Sequence, residues 1–162
     1  MDIKEELGNN MINLKQFSDD QILNEYNLRF RSIGEYRQKM SSSAMVKAYL
    51  SNILDDKEKD REHFFCIFLD GQNSVISIDT LFTGSLTTSA VYPREVIKAI
   101  LKHEAANVIL AHNHPSGSLQ PSGSDRAVTK KLQAACSSID VGILDHIIIG
   151  DGYFSFADHN LI

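Results

Sequence analysis

The spacing of apolar positions along the chain changes at the serine run Ser41-Ser42-Ser43. Before it, the pattern predicts a helix over roughly 19–39, with Ser18 and Asp19 available as caps. After it, segments of helical and of strand period alternate. A short helix is expected over Ala44–Leu54, followed by the charged run Asp55–Glu62. His63-Phe64-Phe65-Cys66-Ile67-Phe68-Leu69 is too continuously apolar for a strand with one wet face and reads as a central strand covered on both sides. Asp70-Gly71-Gln72-Asn73 has turn chemistry, and Ser74–Leu81 alternates as the returning strand. A third short strand is expected over Leu86–Val91. Pro93 suits the first position of a helix over Pro93–Glu104, with Val96, Ile97, Ile100 and Leu101 on one face. Asn107–Ala111 reads as a short buried strand, and Gly123–Ser138 as a helix burying Val128, Leu132, Ala135 and Cys136. Strands over Ile143–Ile149 and Tyr153–Phe156 flank the tight turn Gly150-Asp151-Gly152. Helices between and after strands predict an α/β class, a three-layer sandwich with a mixed β-sheet covered by helices on both faces. The expected division is a helical arm, 1–41, and a compact domain, 42–162.

Length and charge narrow the functional classes. A chain of 162 residues is long enough to bury ~70% of the surface its unfolded form exposes. Its 16 Lys+Arg against 21 Asp+Glu give a net charge of −5, which argues against a whole-molecule electrostatic grip on nucleic acid or anionic membrane. The charge is uneven: residues 1–25 carry two positive and six negative side chains, whereas residues 26–40 carry Arg29, Arg31, Arg37 and Lys39 against Glu35. That basic cluster reads as a solvated helix face, with a phosphate contact as the rival. Cys66 and Cys136 form neither a CxxC pair nor a disulfide framework, so a reducing compartment is expected. With no apolar signal segment at Met1-Asp2-Ile3-Lys4-Glu5-Glu6 and no apolar run near ~20 residues, the expectation is a cytoplasmic protein without membrane association.

The chemistry concentrates in one segment, Ala111-His112-Asn113-His114-Pro115 through Ser122-Gly123-Ser124-Asp125. His112 and His114 are two apart where a buried strand ends, so in extended backbone both imidazoles point to one side. Pro115 marks the strand's lip, and ligands of α/β sheets gather at the carboxyl ends of strands. Asp125 returns eleven residues after His114, in the first turn of the next helix. Two neutral imidazoles and a carboxylate suit zinc, and three protein ligands leave a fourth tetrahedral position for water. The set is not strongly selective and leaves Fe²⁺ or Mn²⁺ open. A second reading competes: Ser122-Gly123-Ser124-Asp125 is also a capping-box pattern, and a lone His-x-His is common without metal.

His-x-His, seven residues and Ser-x-x-Asp together resemble the signature of the JAMM (MPN-plus) zinc hydrolases, matched by His112, His114, Ser122 and Asp125. Arg61-Glu62-His63-Phe64, Tyr92-Pro93-Arg94-Glu95-Val96, Ala111-His112-Asn113-His114-Pro115-Ser116-Gly117 and Leu144-Asp145-His146-Ile147 are similar to the RadC branch of that family. The resemblance runs from about Ser42 to the C-terminus. It implies an MPN/JAMM-like, cytidine-deaminase-like fold and one Zn²⁺ per chain held by His112, His114 and Asp125. It also implies a glutamate near the start of the first long strand, by position Glu62, that takes a proton from the attacking water. Ser122 would donate to the oxyanion, a role worth ~3 kcal/mol. The implied reaction is hydrolysis of an amide or isopeptide bond in a protein or peptide substrate. On spacing alone, Glu95 and Glu104 stay rivals for the base.

Other chemistries fail on the letters. His103-Glu104-Ala105-Ala106-Asn107 lacks the second histidine of HExxH, and the HxE and PCxxC of zinc deaminases are absent, as are Walker and GxGxxG loops. Asp145-His146 reads either as a pair orienting a ligand or as a satisfied core histidine beside an acid. His63, His103 and His159 have no partner spacing. The RadC resemblance also brings a second function class, a DNA-associated repair module. The acidic balance and the missing glycine-hairpin pattern in the first forty residues make direct DNA binding doubtful. The sheet edges leave a homodimer open.

Overall fold

A computed structural model describes residues 18, 37–55, 57, 60–84 and 91–162. The chain divides into two compact units, Met1–Arg37 and Gln38–Ile162, and the described elements lie in the second. In order they are α1 (Ser43–Leu54), β1 (His63–Leu69), β2 (Val75–Thr83), α2 (Pro93–His103), β3 (Asn107–Asn113), α3 (Gly123–Ser137), β4 (Gly142–Gly150) and β5 (Gly152–Ser155). The arm helix expected over 19–39 falls outside the described residues except at its end. There Lys39 forms an antiparallel bridge to Ser74, so no helix reaches that residue. The strand expected over Leu86–Val91 lies, but for Val91, outside them too. Gln38 and Met40 already belong to the second unit: the Val75 N–H donates to the Gln38 carbonyl at 2.9 Å, and Met40 is buried.

One sheet of order β2-β1-β3-β4-β5 organises this unit. β1 pairs antiparallel with β2 and β3, β3 runs parallel to β4, and β4 turns back antiparallel into β5. β1 is buried at every position, and strand alternation sorts its side chains into two cores. Phe64, Cys66 and Phe68 join Val108 and Leu110 of β3 against Val96 and Ile100 of α2 and Val128, Leu132 and Cys136 of α3. Phe65, Ile67 and Leu69 join Ile109, Ala111 and Ile147 against Val46, Tyr49 and Leu50 of α1. The fold is therefore α/β in three layers, with α1 on one face and α2 and α3 on the other. Burying each of these large apolar side chains contributes roughly 1.5–3 kcal/mol, which is why a continuous apolar run is stable at the sheet's centre.

Two details of register position the site. β3 extends two residues beyond the expected Ala111, so His112 and Asn113 are paired strand residues, with Phe64 opposite His112. Between β3 and β4 the register slips after Val108: Val108 pairs with Ile143, and Ile109 with Asp145. The extra residue, Leu144, reverses the facing of everything beyond it in β4. His146 consequently faces α3 from beside His112, a placement that simple alternation from Ile143 would give to Asp145.

Candidate metal centre

The imidazoles of His112 and His114 and the carboxylate of Asp125 converge at the end of β3, their ligand atoms within 4.8 Å of one another. The two Nε2 atoms lie 2.9 Å apart. Asp125 Oδ1 is 3.2 Å from His112 Nε2, and Oδ2 is 3.5 Å from His114 Nε2. His112 and Asp125 are buried, while His114 keeps some exposure.

Each donor is held by its own element. α3 begins with a complete capping box: the Asp125 N–H donates to Ser122 Oγ at 3.1 Å, and the Ser122 N–H donates to Asp125 Oδ2 at 2.6 Å. The capping and metal readings of Ser122 and Asp125 thus coexist, because the box uses the carboxylate's second oxygen and turns Oδ1 toward His112. Burial by itself would favour the neutral acid. The contact with His112 and the Ser122 donors outweigh it and hold the Asp125 carboxyl well below its usual range. His114 leaves the sheet with its N–H donating to the Ile149 carbonyl at 2.7 Å, and its Nδ1 lies 2.9 Å from the Ser118 carbonyl. A carbonyl only accepts, so Nδ1 carries the proton and a neutral His114 offers a bare Nε2 to the cluster. This donor set fits a divalent ion: imidazole nitrogen and carboxylate oxygen facing one point, with the far imidazole nitrogen engaged elsewhere.

The loop from His114 to Ser122 is tied to the β4–β5 turn. The Gly117 N–H donates to the His114 carbonyl at 3.0 Å, and the Asp151 N–H to the Gly117 carbonyl at 2.9 Å. Gly117 has φ +78°, and a side chain there would come within 2.6 Å of the Asp151 carboxylate. Only glycine satisfies both conditions.

Glu62 immediately precedes β1, and Asn113 fixes it from β3. The His63 N–H donates to Asn113 Oδ1 at 2.7 Å, and Asn113 Nδ2 donates to the Arg61 carbonyl at 2.8 Å. With the Gly84 N–H donating to the Glu62 carbonyl at 2.9 Å, the backbone is gripped on both sides of Glu62. Glu62 lines a cleft of about 420 Å³ with Arg61, Gly84, Pro115 and Ser116. A second cleft of about 370 Å³, across the Pro115–Ser116 turn, is lined by His114, Asn113, Gly117, Ser51 and Asp151. Of the rival carboxylates, Glu95 is exposed and bonded to Arg94 and Lys98 on its own helix, each at 3.2 Å. Glu104 caps the C-terminus of α2 in the left-handed conformation.

Asp145 and His146 part company. Asp145 accepts from the His146 N–H, the Ala157 N–H and the Ser155 hydroxyl, at 2.7, 2.9 and 2.6 Å, and so anchors the C-terminal segment. His146 is fully buried, with Nε2 2.9 Å from His112 Nδ1 and Nδ1 2.7 Å from Thr129 Oγ1. Burial, reinforced by His112, keeps its imidazole well below the usual range and hence neutral. The remaining histidines bond locally: His63 to Thr83, His103 to Asp79 and His159 to the Ser155 carbonyl. Cys66 and Cys136 are free and buried, and burial raises both thiols. Among the described residues no helix is long and apolar enough to cross a membrane. Sequence reasoning missed Thr129 and the grip of Asn113. The signal for Thr129 was its place one helical turn after Asp125; Asn113 carried none beyond standing between two candidate ligands.

The pattern of the RadC-like JAB domain matches residues 40–161, which include every element described here. A UPF0758 protein of Vibrio atlanticus is 48% identical over 124 residues, covering 76% of this chain and 54% of that protein. A UPF0758 protein of Thiobacillus denitrificans is 51% identical over 120 residues, covering 74% and 53%. The chain thus spans about half the length of the curated relatives it matches. With the three-layer fold, the His112–His114–Asp125 cluster and this match in agreement, the chain belongs to the RadC-like JAB domain family.

Proposed function

We propose that this domain is a zinc-dependent hydrolase that cleaves a peptide or isopeptide bond. One observation carries the reading: two imidazole nitrogens and a carboxylate converge at the end of β3. The backbone-clamped Glu62 lines a separate cleft that reaches the Pro115–Ser116 turn directly after His114. His112, His114 and Asp125 would hold the ion. Zinc bound by three protein ligands lowers the pKa of a water to ~7 and polarises a carbonyl. Glu62 takes the proton of the attacking water and returns it to the departing amine. The Ser122 oxygen accepts the Asp125 N–H through a lone pair, and its hydroxyl hydrogen, which supports the Asp125 carboxylate here, would turn to donate to the oxyanion of the tetrahedral intermediate. The clefts on either side of the Pro115–Ser116 turn give an extended peptide room to lie across the site. Two buried free thiols suit a reducing compartment, so the proposed location is the cytoplasm.

Metal content is the first test. Elemental analysis of the protein purified without chelator should find about one zinc per chain, and almost none in His114→Ala. Glu62→Gln should keep the zinc while losing cleavage of a peptide library by at least about 100-fold. No zinc in the wild type after add-back would remove the reading. Full cleavage by Glu62→Gln would move the proton transfer to another group.

A further inference from the structure

His112 Nδ1 faces His146, His146 faces Thr129, and Thr129 faces the backbone of Asp125, so two side chains link one candidate ligand to the main chain of another. Thr129 Oγ1 lies 2.6 Å from the Asp125 carbonyl oxygen. That oxygen can only accept, so the single hydroxyl hydrogen of Thr129 is committed to it. Thr129 Oγ1 must then accept from His146, which puts the His146 proton on Nδ1 across the 2.7 Å contact. A neutral imidazole with its proton on Nδ1 has a bare Nε2, and this atom lies 2.9 Å from His112 Nδ1. His112 therefore donates from Nδ1, and its Nε2 lone pair faces His114 and Asp125. All three relay members are buried, with Thr129 at 1%, His146 at 0% and His112 at 1% exposure, so no water competes for these bonds.

We propose that Thr129 and His146 are positioning residues of the metal centre, a relay that starts at the Asp125 carbonyl and fixes His112 as an Nε2 donor. His114 reaches the same protonation state directly through the Ser118 carbonyl. His112 has no carbonyl at its Nδ1, and the relay supplies the equivalent acceptor. Phe64 and Phe156 hold the His146 ring, the first edge-on at 5.7 Å and the second stacked at 4.8 Å between centroids. If the hydroxyl of Thr129 is lost, the His146 Nδ1–H has no acceptor. The proton then moves to Nε2 and donates to His112, whose own proton shifts to Nε2, where the metal binds.

The inference rests on the metal reading of the site, and two measurements separate their failures. Long-range ¹H–¹⁵N spectra of the metal-free full chain at pH 8 should show His112 and His114 protonated at Nδ1. Thr129→Val should shift His112 toward the Nε2–H form and leave His114 unchanged, whereas Thr129→Ser, which keeps the hydroxyl, should match the wild type. Zinc affinity by competition with a chromophoric chelator should fall about 10- to 100-fold in Thr129→Val and recover in Thr129→Ser. A wild-type His112 protonated at Nε2, or a folded Thr129→Val with wild-type zinc affinity, would overturn the relay. Wild-type protein that binds no zinc but shows both Nδ1–H forms would remove the metal reading and leave the relay's tautomer assignment supported. Those spectra need only the wild type, so a variant that fails to fold does not rescue the proposal.

Discussion

Asn113 separates the two histidines in sequence and faces away from both in function. Its amide spends one acceptor on the His63 N–H and one donor on the Arg61 carbonyl, at 2.7 and 2.8 Å. Removing the amide strands two backbone groups beside a buried strand, which costs about 1–3 kcal/mol. Asn113→Ala is therefore expected to lower unfolding stability by that amount in urea titrations while zinc content stays at the wild-type level. Peptide cleavage should fall further than stability accounts for, because Glu62 loses its clamp. Asn113→Asp should not restore it, since a carboxylate accepts from His63 but repels the Arg61 carbonyl. At this scale the clustering of the candidate ligands was legible in the sequence: His112, His114 and Asp125 sit within one short segment whose spacing needs only local backbone geometry. Asn113 was not, because its partners, at the start of β1 and just before it, lie some 50 positions away.

The start of α3 shows how one local device serves two ends. Ser122 caps the helix through its oxygen lone pair, and Asp125, the other half of the box, presents its remaining oxygen to His112. Loss of such a cap costs typically ~1 kcal/mol of stability, whereas loss of an oxyanion donor costs ~3 kcal/mol in the transition state. Ser122→Ala should thus lower stability by about 1 kcal/mol but cleavage by about 100-fold, with zinc retained. Equal losses in both would reduce Ser122 to a cap. The choice between capping box and metal ligand, posed by the sequence as an alternative, dissolves in the structure because a carboxylate has two oxygens. Strand phase in β4 is the contrasting case. The register slip at Val108 turns His146 toward α3. No run of letters from Gly142 to Gly150 announces it, because the bulge is decided by how β4 fits β3.

For the whole molecule, the candidate metal centre joins β3 to α3, and through His146 to β4, so an ion held there would tie together three parts of the fold. A ligand that binds only the folded state at a hundred times its Kd adds about 2.7 kcal/mol. For a domain of this size that is a rise in Tm of roughly 5–10 °C. Scanning calorimetry with and without zinc should show this rise in the wild type and none in His114→Ala. The sequence by itself determined the α/β class, the central apolar strand, the starts of α2 and α3 and the grouping of His112, His114 and Asp125. These depend on periodicity and on contacts within a dozen residues, which short-range sterics and hydrogen bonding fix. Tertiary structure alone decided that Lys39 pairs with Ser74 in a β-bridge, that Asn113 grips the backbone around Glu62, and that His146 rather than Asp145 faces His112. Each of these depends on the register between segments far apart in sequence. A one-residue slip in that register exchanges the two faces of a strand, and the letters of the strand do not record it.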